Sequence, residues 1–247
     1  MPKWCPSRVV DKQLWADGLF TLKIDAAGVQ PFEAGQFLHL AVQEGDDIIN
    51  RPYSVASPHG AAIEFFIVKV NDGKLTPILD RLAVGDPVLV SERAAGSFTL
   101  KKAPVSKNLW LIGTGTGLAP FIAMLRDREA WERYERIFVV HGTRHETDLG
   151  YRDELCNLQR ERPARFRYLP AVTREQKDGL LHGRLTTLLA DGRLEQAAGT
   201  KIDAADSTVM ICGNPDMLDE LENDLVNRGL KRHKSKEPGH IVVERYW

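Results

Sequence analysis

The pattern of strand-forming and helix-forming residues changes near residue 104, and this change constrains the fold more than any other feature of the chain. Before it, short apolar runs are separated by turn residues such as Pro31, Gly35 and Gly60. Several short strands at this spacing are typical of a small antiparallel barrel or sandwich. After it, strands and helices alternate, which is typical of a parallel sheet. The sequence therefore predicts an α+β chain of two domains, 1–103 and 104–247, joined by a linker near 101–107.

The first domain is predicted to be an antiparallel six-stranded β-barrel with one helix, Lys74–Leu82. Its strands are predicted over Arg8–Lys12, Leu19–Ile24, Gln36–Val42, Ile48–Ala56, Ala62–Val70 and Pro87–Ser91.

The second domain is predicted to be an α/β doubly wound parallel five-stranded sheet of the Rossmann-like kind. The strands are predicted over Leu109–Ile112, Ile137–His141, Phe166–Val172, Thr208–Cys212 and Ile241–Glu244. The helices are predicted over Leu118–Arg133, Leu149–Arg162, Leu185–Ala190 and Pro215–Arg228.

The tetrapeptide Arg51-Pro52-Tyr53-Ser54 lies in a predicted strand and combines a cation, an aromatic ring and a hydroxyl. Alternate side chains of a strand share a face, so Arg51 and Tyr53 are expected on the same side. A guanidinium suits a pyrophosphate and a tyrosine ring can stack on a conjugated ring. An ordinary surface strand would also explain these four residues, so the downstream motifs must decide.

A glycine turn around Gly73 opens the helix predicted in the first domain. The unpaired amides at the start of a helix attract phosphate. This turn is therefore a second candidate contact for a pyrophosphate.

Two further motifs follow predicted strands of the second domain, where doubly wound sheets bind their ligands. The first is Gly113-Thr114-Gly115-Thr116-Gly117-Leu118-Ala119-Pro120, and the second is Cys212-Gly213-Asn214-Pro215. Glycines allow a ligand to approach the backbone closely, and a helix follows each motif. A tight turn with no ligand is the alternative.

Three arginines also follow strands or turns of the second domain: Arg144, Arg174 and Arg184. Arginine near this edge suits the 2′-phosphate of NADP, whereas an acidic residue there holds the ribose hydroxyls of NAD. Each arginine alone is more often an exposed surface residue. Their convergence would favour NADP.

Charge and cysteine content exclude several classes of protein. The formal net charge of −1 argues against general nucleic-acid binding. Three scattered cysteines exclude a four-cysteine iron–sulfur cluster held by this chain alone, and no metal site is expected. No apolar run is long enough to span a bilayer and the N-terminus lacks a signal-like apolar stretch, so a cytoplasmic protein without membrane contact is expected. The basic run Lys231–Lys236 is either a solvated face or a docking surface for an acidic partner.

Taken in order, these motifs resemble the plant-type ferredoxin–NADP reductase superfamily over nearly the whole chain. The terminal pair Tyr246-Trp247 and the arginine trio are similar to those of its bacterial ferredoxin/flavodoxin–NADP reductases. The resemblance implies an FAD barrel and an NADP domain, with ferredoxin or flavodoxin and NADPH as partners. A monomer is expected. The plant enzymes end in tyrosine, whereas this chain ends in Trp247.

The resemblance also implies roles for individual residues. Those implied to contact FAD are Arg51, Pro52, Tyr53, Ser54, Lys69, Val70, Gly73, Leu75, Thr76, Thr116, Tyr246 and Trp247. Those implied to contact NADP are Thr143, Arg144, Arg174, Arg184, Gly213 and Asn214. The residues implied to serve catalysis are Tyr53, Ser54, Cys212 and Glu244.

The expected reaction is hydride transfer between nicotinamide C4 and flavin N5, coupled to single-electron exchange with a small carrier protein. A flavin reductase or the reductase component of an oxygenase would use the same two domains. A nucleotide-binding module without turnover is the alternative outside enzymes.

Overall fold

The computed structural model describes residues 3–25, 27–60 and 62–245. Within this part of the chain no helix is long and apolar enough to cross a bilayer. The chain divides into two compact units, one of residues 1–99 and 119–127 and the other of residues 100–118 and 128–247. Residues 119–127 thus group with the first unit, although they lie beyond the predicted linker.

The first unit is a six-stranded antiparallel sheet in the order β4-β3-β6-β1-β2-β5. The strands are β1 Trp4–Ala16, β2 Leu19–Asp25, β3 Phe37–Glu44, β4 Asp47–Ser54, β5 Ile63–Val68 and β6 Pro87–Ser91. An antiparallel bridge between Val55 and Phe65 joins the two outer strands and closes the barrel. All six predicted strands are confirmed.

The barrel interior is filled by alternate residues of these strands, which is why their sequences alternate between apolar and polar. Phe20, Leu38 and Phe65 are among its fully buried side chains. The helix predicted over Lys74–Leu82 is present as α1, Thr76–Arg81.

The second unit is a six-stranded parallel sheet in the order β10-β9-β8-β7-β11-β12. The strands are β7 Asn108–Thr114, β8 Arg136–Thr143, β9 Phe166–Val172, β10 Leu181–His182, β11 Ser207–Gly213 and β12 Ile241–Arg245. Every residue of β11 is buried, as expected of a central parallel strand covered on both faces. The five predicted strands are present. The predicted number of five is wrong by one because β10 has only two residues, too few to show a pattern.

The helices that follow α1 differ from prediction in two places. They are α2 Ala119–Arg126, α3 Arg128–Arg133, α4 Arg152–Glu161, α5 Leu185–Ala190, α6 Arg193–Ala198 and α7 Pro215–Asn227. The single helix predicted over Leu118–Arg133 is divided into a 3-10 turn, Gly115–Leu118, followed by α2 and α3 with a break at Asp127. The second difference is α6, which lies between the left-handed residues Gly192 and Gly199 and was not predicted.

The strand order fixes where a ligand site can form in the second unit. From β7 the chain moves outward through β8, β9 and β10, and then returns to the other side of β7 with β11 and β12. Ligands bind beyond the carboxyl ends of the strands where the order reverses. In this sheet that point lies between the ends of β7 and β11, at Thr114 and Gly213.

Candidate functional site

The predicted flavin residues form the second half of β4, an outer strand of the first unit's sheet. Arg51 and Tyr53 pair with Leu40 and Leu38 of β3, which puts them on the same face, as the alternation predicts. Arg51 is exposed, and its Nη1 donates to the carbonyl of Asn50 over 2.7 Å. The guanidinium therefore retains most of its donors for a ligand.

The ring of Tyr53 is half-buried and packs edge-on against Phe65, with the ring centroids 6.2 Å apart and the planes at 66°. Burial raises the pKa of its hydroxyl to about 12, although Arg51 lowers it slightly. The phenol is thus protonated at any physiological pH and can donate a hydrogen bond. Ser54, the last residue of β4, is buried.

The loop between β5 and α1 is closed by the hydroxyl of Thr76. Its Oγ1 accepts a hydrogen bond from the amide of Val70 over 2.9 Å and donates to the carbonyl of Val70 over 3.3 Å. Gly73 lies inside this loop, where a Cβ atom would be 3.0 Å from the same carbonyl oxygen. The Thr76 side chain thus shapes the loop.

Other predicted residues of this loop contribute in different ways. Leu75 is only 2% exposed and belongs to the barrel core, so its side chain is not available to a ligand. Lys69 forms an ion pair with Asp80, Nζ to Oδ2 2.8 Å. Among the described residues no side chain caps the start of α1. Its first turn still offers few amides, because Pro77 has none and the Ile78 amide donates to the Leu75 carbonyl over 3.0 Å.

At the strand-order reversal of the second unit, the glycine loop and the β11 end are in direct contact. A Cβ atom on Gly117 would lie 2.6 Å from the carbonyl oxygen of Cys212, and one on Gly213 would lie 2.3 Å from Oγ1 of Thr114. The φ of Gly213 is +136°, which side chains rarely adopt. Glycine is therefore required at both positions for the backbones to meet.

Two more predicted residues lie at this contact. The amide of Asn214 donates to Oγ1 of Thr114 over 3.1 Å, and its Oδ1 accepts from Met217 N over 3.2 Å, so Asn214 caps α7. Thr116 lies half-buried in the 3-10 turn.

The predicted catalytic pair of the second unit comes from neighbouring strands. Cys212 of β11 and Glu244 of β12 are register partners, with the thiol Sγ 3.9 Å from Glu244 Oε2. Cys212 is fully buried, whereas Glu244 is half-buried. The sheet therefore brings together a thiol and a carboxylate that are 32 residues apart in sequence.

The three predicted arginines converge. Arg144, Arg174 and Arg184 line one pocket of about 500 Å³, together with Thr173 and Gly183. All three are exposed, and none forms an ion pair with a carboxylate of the described residues. Thr143, which was also predicted to bind the nucleotide, does not line this pocket. Its Oγ1 instead donates to the carbonyl of His145 over 2.8 Å.

Comparison with known proteins agrees with both units. Residues 15–98 match the family model of the oxidoreductase FAD-binding domain, and residues 111–223 match that of the oxidoreductase NAD-binding domain. The flavodoxin/ferredoxin–NADP reductase of Escherichia coli K12 is 36% identical over 249 residues and covers 100% of both chains. Ferredoxin–NADP reductase A of Sorangium cellulosum is 37% identical, over 99% of this chain and 91% of that one.

The chain belongs to the flavodoxin/ferredoxin–NADP reductase family. A crystal structure of a ferredoxin NADP⁺ reductase from Neisseria gonorrhoeae with bound FAD and NADP superposes over 100% of both chains, with a TM-score of 0.94 and 30% identity. The fold class, the two nucleotide-binding domains and the family predicted from sequence are therefore confirmed.

The residues of this family member fit its two cofactors. An exposed guanidinium and a tyrosine ring provide donors and a flat surface that suit a flavin dinucleotide. Three guanidiniums around one pocket suit a phosphate dianion. The predicted aromatic covers Tyr246 and Trp247 lie outside the described residues.

Sequence reasoning missed two residues that organise the nucleotide side. His141 is fully buried in β8 and contacts the backbone of Gly115 in the glycine loop. Glu175 contacts two other loops beside the arginine pocket. The partners in these contacts are 26, 29 and 7 residues apart, and no motif links them.

Proposed function

We propose that this chain transfers electrons between NADPH and a small one-electron carrier protein, ferredoxin or flavodoxin, with FAD as its prosthetic group. The observation that carries the preference for NADPH over NADH is the pocket lined by Arg144, Arg174 and Arg184. Each can offer a planar fork of donors to a phosphate oxygen pair. A ribose without the 2′-phosphate would leave these charges without a partner.

On the flavin side, Arg51 is the proposed ligand of the FAD pyrophosphate. Tyr53 presents its ring to the isoalloxazine, with Pro52 holding the strand beside it. The proposed phosphate contacts of the following loop come from its backbone, since the Thr76 hydroxyl is engaged with Val70. The residues proposed for that loop are Lys69, Val70, Gly73, Leu75 and Thr76.

On the nucleotide side, Gly213 and Asn214 provide a backbone surface that a nicotinamide nucleotide can approach closely. Thr116 is proposed to contribute a hydroxyl there. Thr143 supports the proposed site through its hydrogen bond to the His145 carbonyl rather than by lining the pocket. Tyr246 and Trp247 are proposed to cover the flavin and its adenine.

When bound, FAD accepts a hydride at N5 from nicotinamide C4 and releases electrons singly to the carrier. The protein contributes by binding and orienting both dinucleotides, and orientation of this kind lowers a barrier by several kcal/mol, about 7–11 in well-aligned cases. The Ser54 hydroxyl is proposed to donate a hydrogen bond to the flavin, where charge develops during hydride transfer. Cys212 and Glu244 are proposed to line the nicotinamide position, where the buried thiol excludes water.

The decisive experiment uses the purified full-length chain. We expect a yellow protein whose flavin absorbance is bleached anaerobically by NADPH far faster than by NADH. A colourless protein that takes up no FAD would contradict the proposal. A yellow protein that reacts equally with both nucleotides would contradict the role of the arginine pocket.

The carrier distinguishes this proposal from a flavin reductase or the reductase component of an oxygenase. Both curated relatives described above bear names that include ferredoxin as a partner, and one also includes flavodoxin. Titration of ferredoxin, flavodoxin and free riboflavin in a cytochrome c coupled assay separates the alternatives. Saturation by a carrier protein at micromolar concentration supports the proposal, and turnover with free flavin alone opposes it.

A further inference from the structure

Glu175 contacts the loops that carry Arg144 and Arg184, two of the three arginines of the pocket. It directly follows Arg174, and its carboxylate Oε1 accepts a hydrogen bond from the amide of Glu146, two residues after Arg144. Its backbone carbonyl is 2.7 Å from Nδ1 of His182, two residues before Arg184. A carbonyl can only accept, so His182 Nδ1 is the donor.

Backbone hydrogen bonds join these loops only next to the ends of their strands. The amide of Arg174 donates to the carbonyl of Arg144 over 2.9 Å, which extends the pairing of β8 and β9 by one step. The amide of Gly183 donates to the carbonyl of Val172 over 3.0 Å, at the end of β10. Residues 175–180 then form the connection to β10, in which residues 176–179 are exposed and Glu175 and Leu180 are half-buried.

The charge of Glu175 makes a direct role in binding phosphate unfavourable. A carboxylate beside an anion site repels the anion, and this one lies in the loop of Arg174 itself. The carboxylate is partly compensated by the Glu146 amide, and its distance of 3.9 Å from His145 Nδ1 is too long for a hydrogen bond. A second connection between the same loops, from Lys177 Nζ to Glu146 Oε2, is 3.5 Å long and exposed.

We propose that Glu175 is a positioning residue that holds the loops of Arg144, Arg174 and Arg184 at the spacing of one phosphate, and so sets the selectivity for a nucleotide with a 2′-phosphate. This inference rests on the proposed function of the arginine pocket. Glu175 would strengthen phosphate binding by holding the loops in place, although its negative charge alone would weaken that binding.

Because loop geometry and charge act on phosphate binding in opposite directions, two substitutions of Glu175 can separate them. Glu175→Ala removes the acceptor for the Glu146 amide, whereas Glu175→Gln keeps an acceptor oxygen and removes only the charge. The matched control is Glu161→Ala, at the exposed end of α4 in the same unit. The probes are 2′-phospho-AMP and AMP, titrated by calorimetry into the FAD-loaded full chain, together with the KM and kcat for NADPH and NADH.

Glu175→Ala is expected to weaken 2′-phospho-AMP binding and raise the KM for NADPH about 10-fold, with kcat, AMP binding and NADH kinetics unchanged. Glu175→Gln is expected to bind 2′-phospho-AMP as tightly as wild type or slightly more tightly, because it keeps the acceptor and loses the repelling charge. The control is expected to match wild type. His182→Phe loses only the bond to the Glu175 carbonyl. It is an independent variant expected to shift the same two quantities in the same direction, should Glu175→Ala fail to fold.

Three results would overturn the positioning role. Unchanged or tighter binding of 2′-phospho-AMP by Glu175→Ala would show that charge, not geometry, decides. Equal weakening by Ala and Gln would show that the carboxylate charge itself supports binding. Wild-type protein that binds AMP and 2′-phospho-AMP equally would instead overturn the phosphate assignment of the arginine pocket, and the role of Glu175 with it.

Discussion

The imidazole Nε2 of His141 lies 3.0 Å from the backbone carbonyl oxygen of Gly115, so a fully buried side chain of β8 holds the glycine loop that follows β7. The carbonyl can only accept, so Nε2 carries the proton. Nδ1 is then an acceptor, and it has no hydrogen-bond partner among the described residues. The left-handed φ of +54° at Gly115 is therefore supported from inside the sheet.

Burial lowers the pKa of His141 from 6.5 to about 4, and the hydrogen bond to Gly115 opposes this only in part. The folded state has the lower pKa, so the unfolded state takes up the proton first as the pH falls below 6.5. The free energy of unfolding is therefore highest above pH 6.5, where His141 is neutral in both states, and it falls as the pH is lowered towards 4. Relative to His141→Gln, we expect the wild type to lose roughly 3 kcal/mol of unfolding free energy across this window.

Urea unfolding at pH 7, 6, 5 and 4 measures this difference. The Gln variant is the matched control because its carboxamide can still donate to the Gly115 carbonyl and does not titrate. Parallel stability curves for the two proteins would show that His141 is not held neutral by burial.

Simultaneous replacement of Arg144 and Arg174 by alanine is expected to raise the KM for NADPH by on the order of 100-fold, since each loses a charge-assisted hydrogen bond worth about 1.5–3 kcal/mol. NADH kinetics should change little because NADH has no 2′-phosphate. Steady-state kinetics with both nucleotides measure the effect. The control is the exposed pair Arg160→Ala with Arg167→Ala in the same unit. Unaltered NADPH kinetics would place the phosphate elsewhere.

Ser54→Ala is expected to slow the reduction of FAD by NADPH about 10-fold, the effect of one lost hydrogen bond in the transition state, while FAD retention changes little. The β4 backbone still pairs with Phe37, so the strand remains in place. Anaerobic stopped-flow gives the rate and FAD fluorescence gives retention. Ser57→Ala is the control, because this buried hydroxyl accepts from the Glu64 amide over 3.1 Å and shapes only the barrel. Wild-type reduction rates in Ser54→Ala would remove Ser54 from the mechanism.

The basic segment 231–236 is expected to attract an acidic carrier protein through Lys231 and Lys236. Arg232 forms an ion pair with Glu222 over 3.2 Å, and Lys234 forms one with Glu237 over 3.6 Å. Lys231 and Lys236 are exposed and form no ion pair within the described part of the chain. Reversing both to glutamate should lower the carrier association rate at least several-fold at low salt, and less at high salt.

Carrier reduction measured from low to high ionic strength tests this expectation. The control reverses Lys102 and Lys107, two exposed lysines of the same unit, so that the net charge changes equally. If both double variants respond alike, the net charge of the protein acts and the segment has no docking role.

The sequence identified the features that depend on local patterns and on general rules of sheet topology. Alternation of apolar residues located the six strands of the barrel, because each strand buries one face. The convergence of Arg144 and Arg174 was predictable because carboxyl ends of parallel strands meet at one edge, whereas Arg184 follows β10, a strand that was not predicted. The two-residue strand β10 and the break of the helix at Asp127 have no such signal.

The sequence by itself determined the class of the two units, their motifs and the family. Only the tertiary structure decided which atoms hold those motifs in place. In the folded chain the Thr76 hydroxyl is hydrogen-bonded to Val70, and the Thr143 hydroxyl is hydrogen-bonded to His145 rather than lining the arginine pocket. The Glu175 carboxylate accepts from the Glu146 amide. These hydrogen bonds depend on the conformation of loops and on the packing of residues that are distant in sequence. A local pattern of residue types does not determine such contacts.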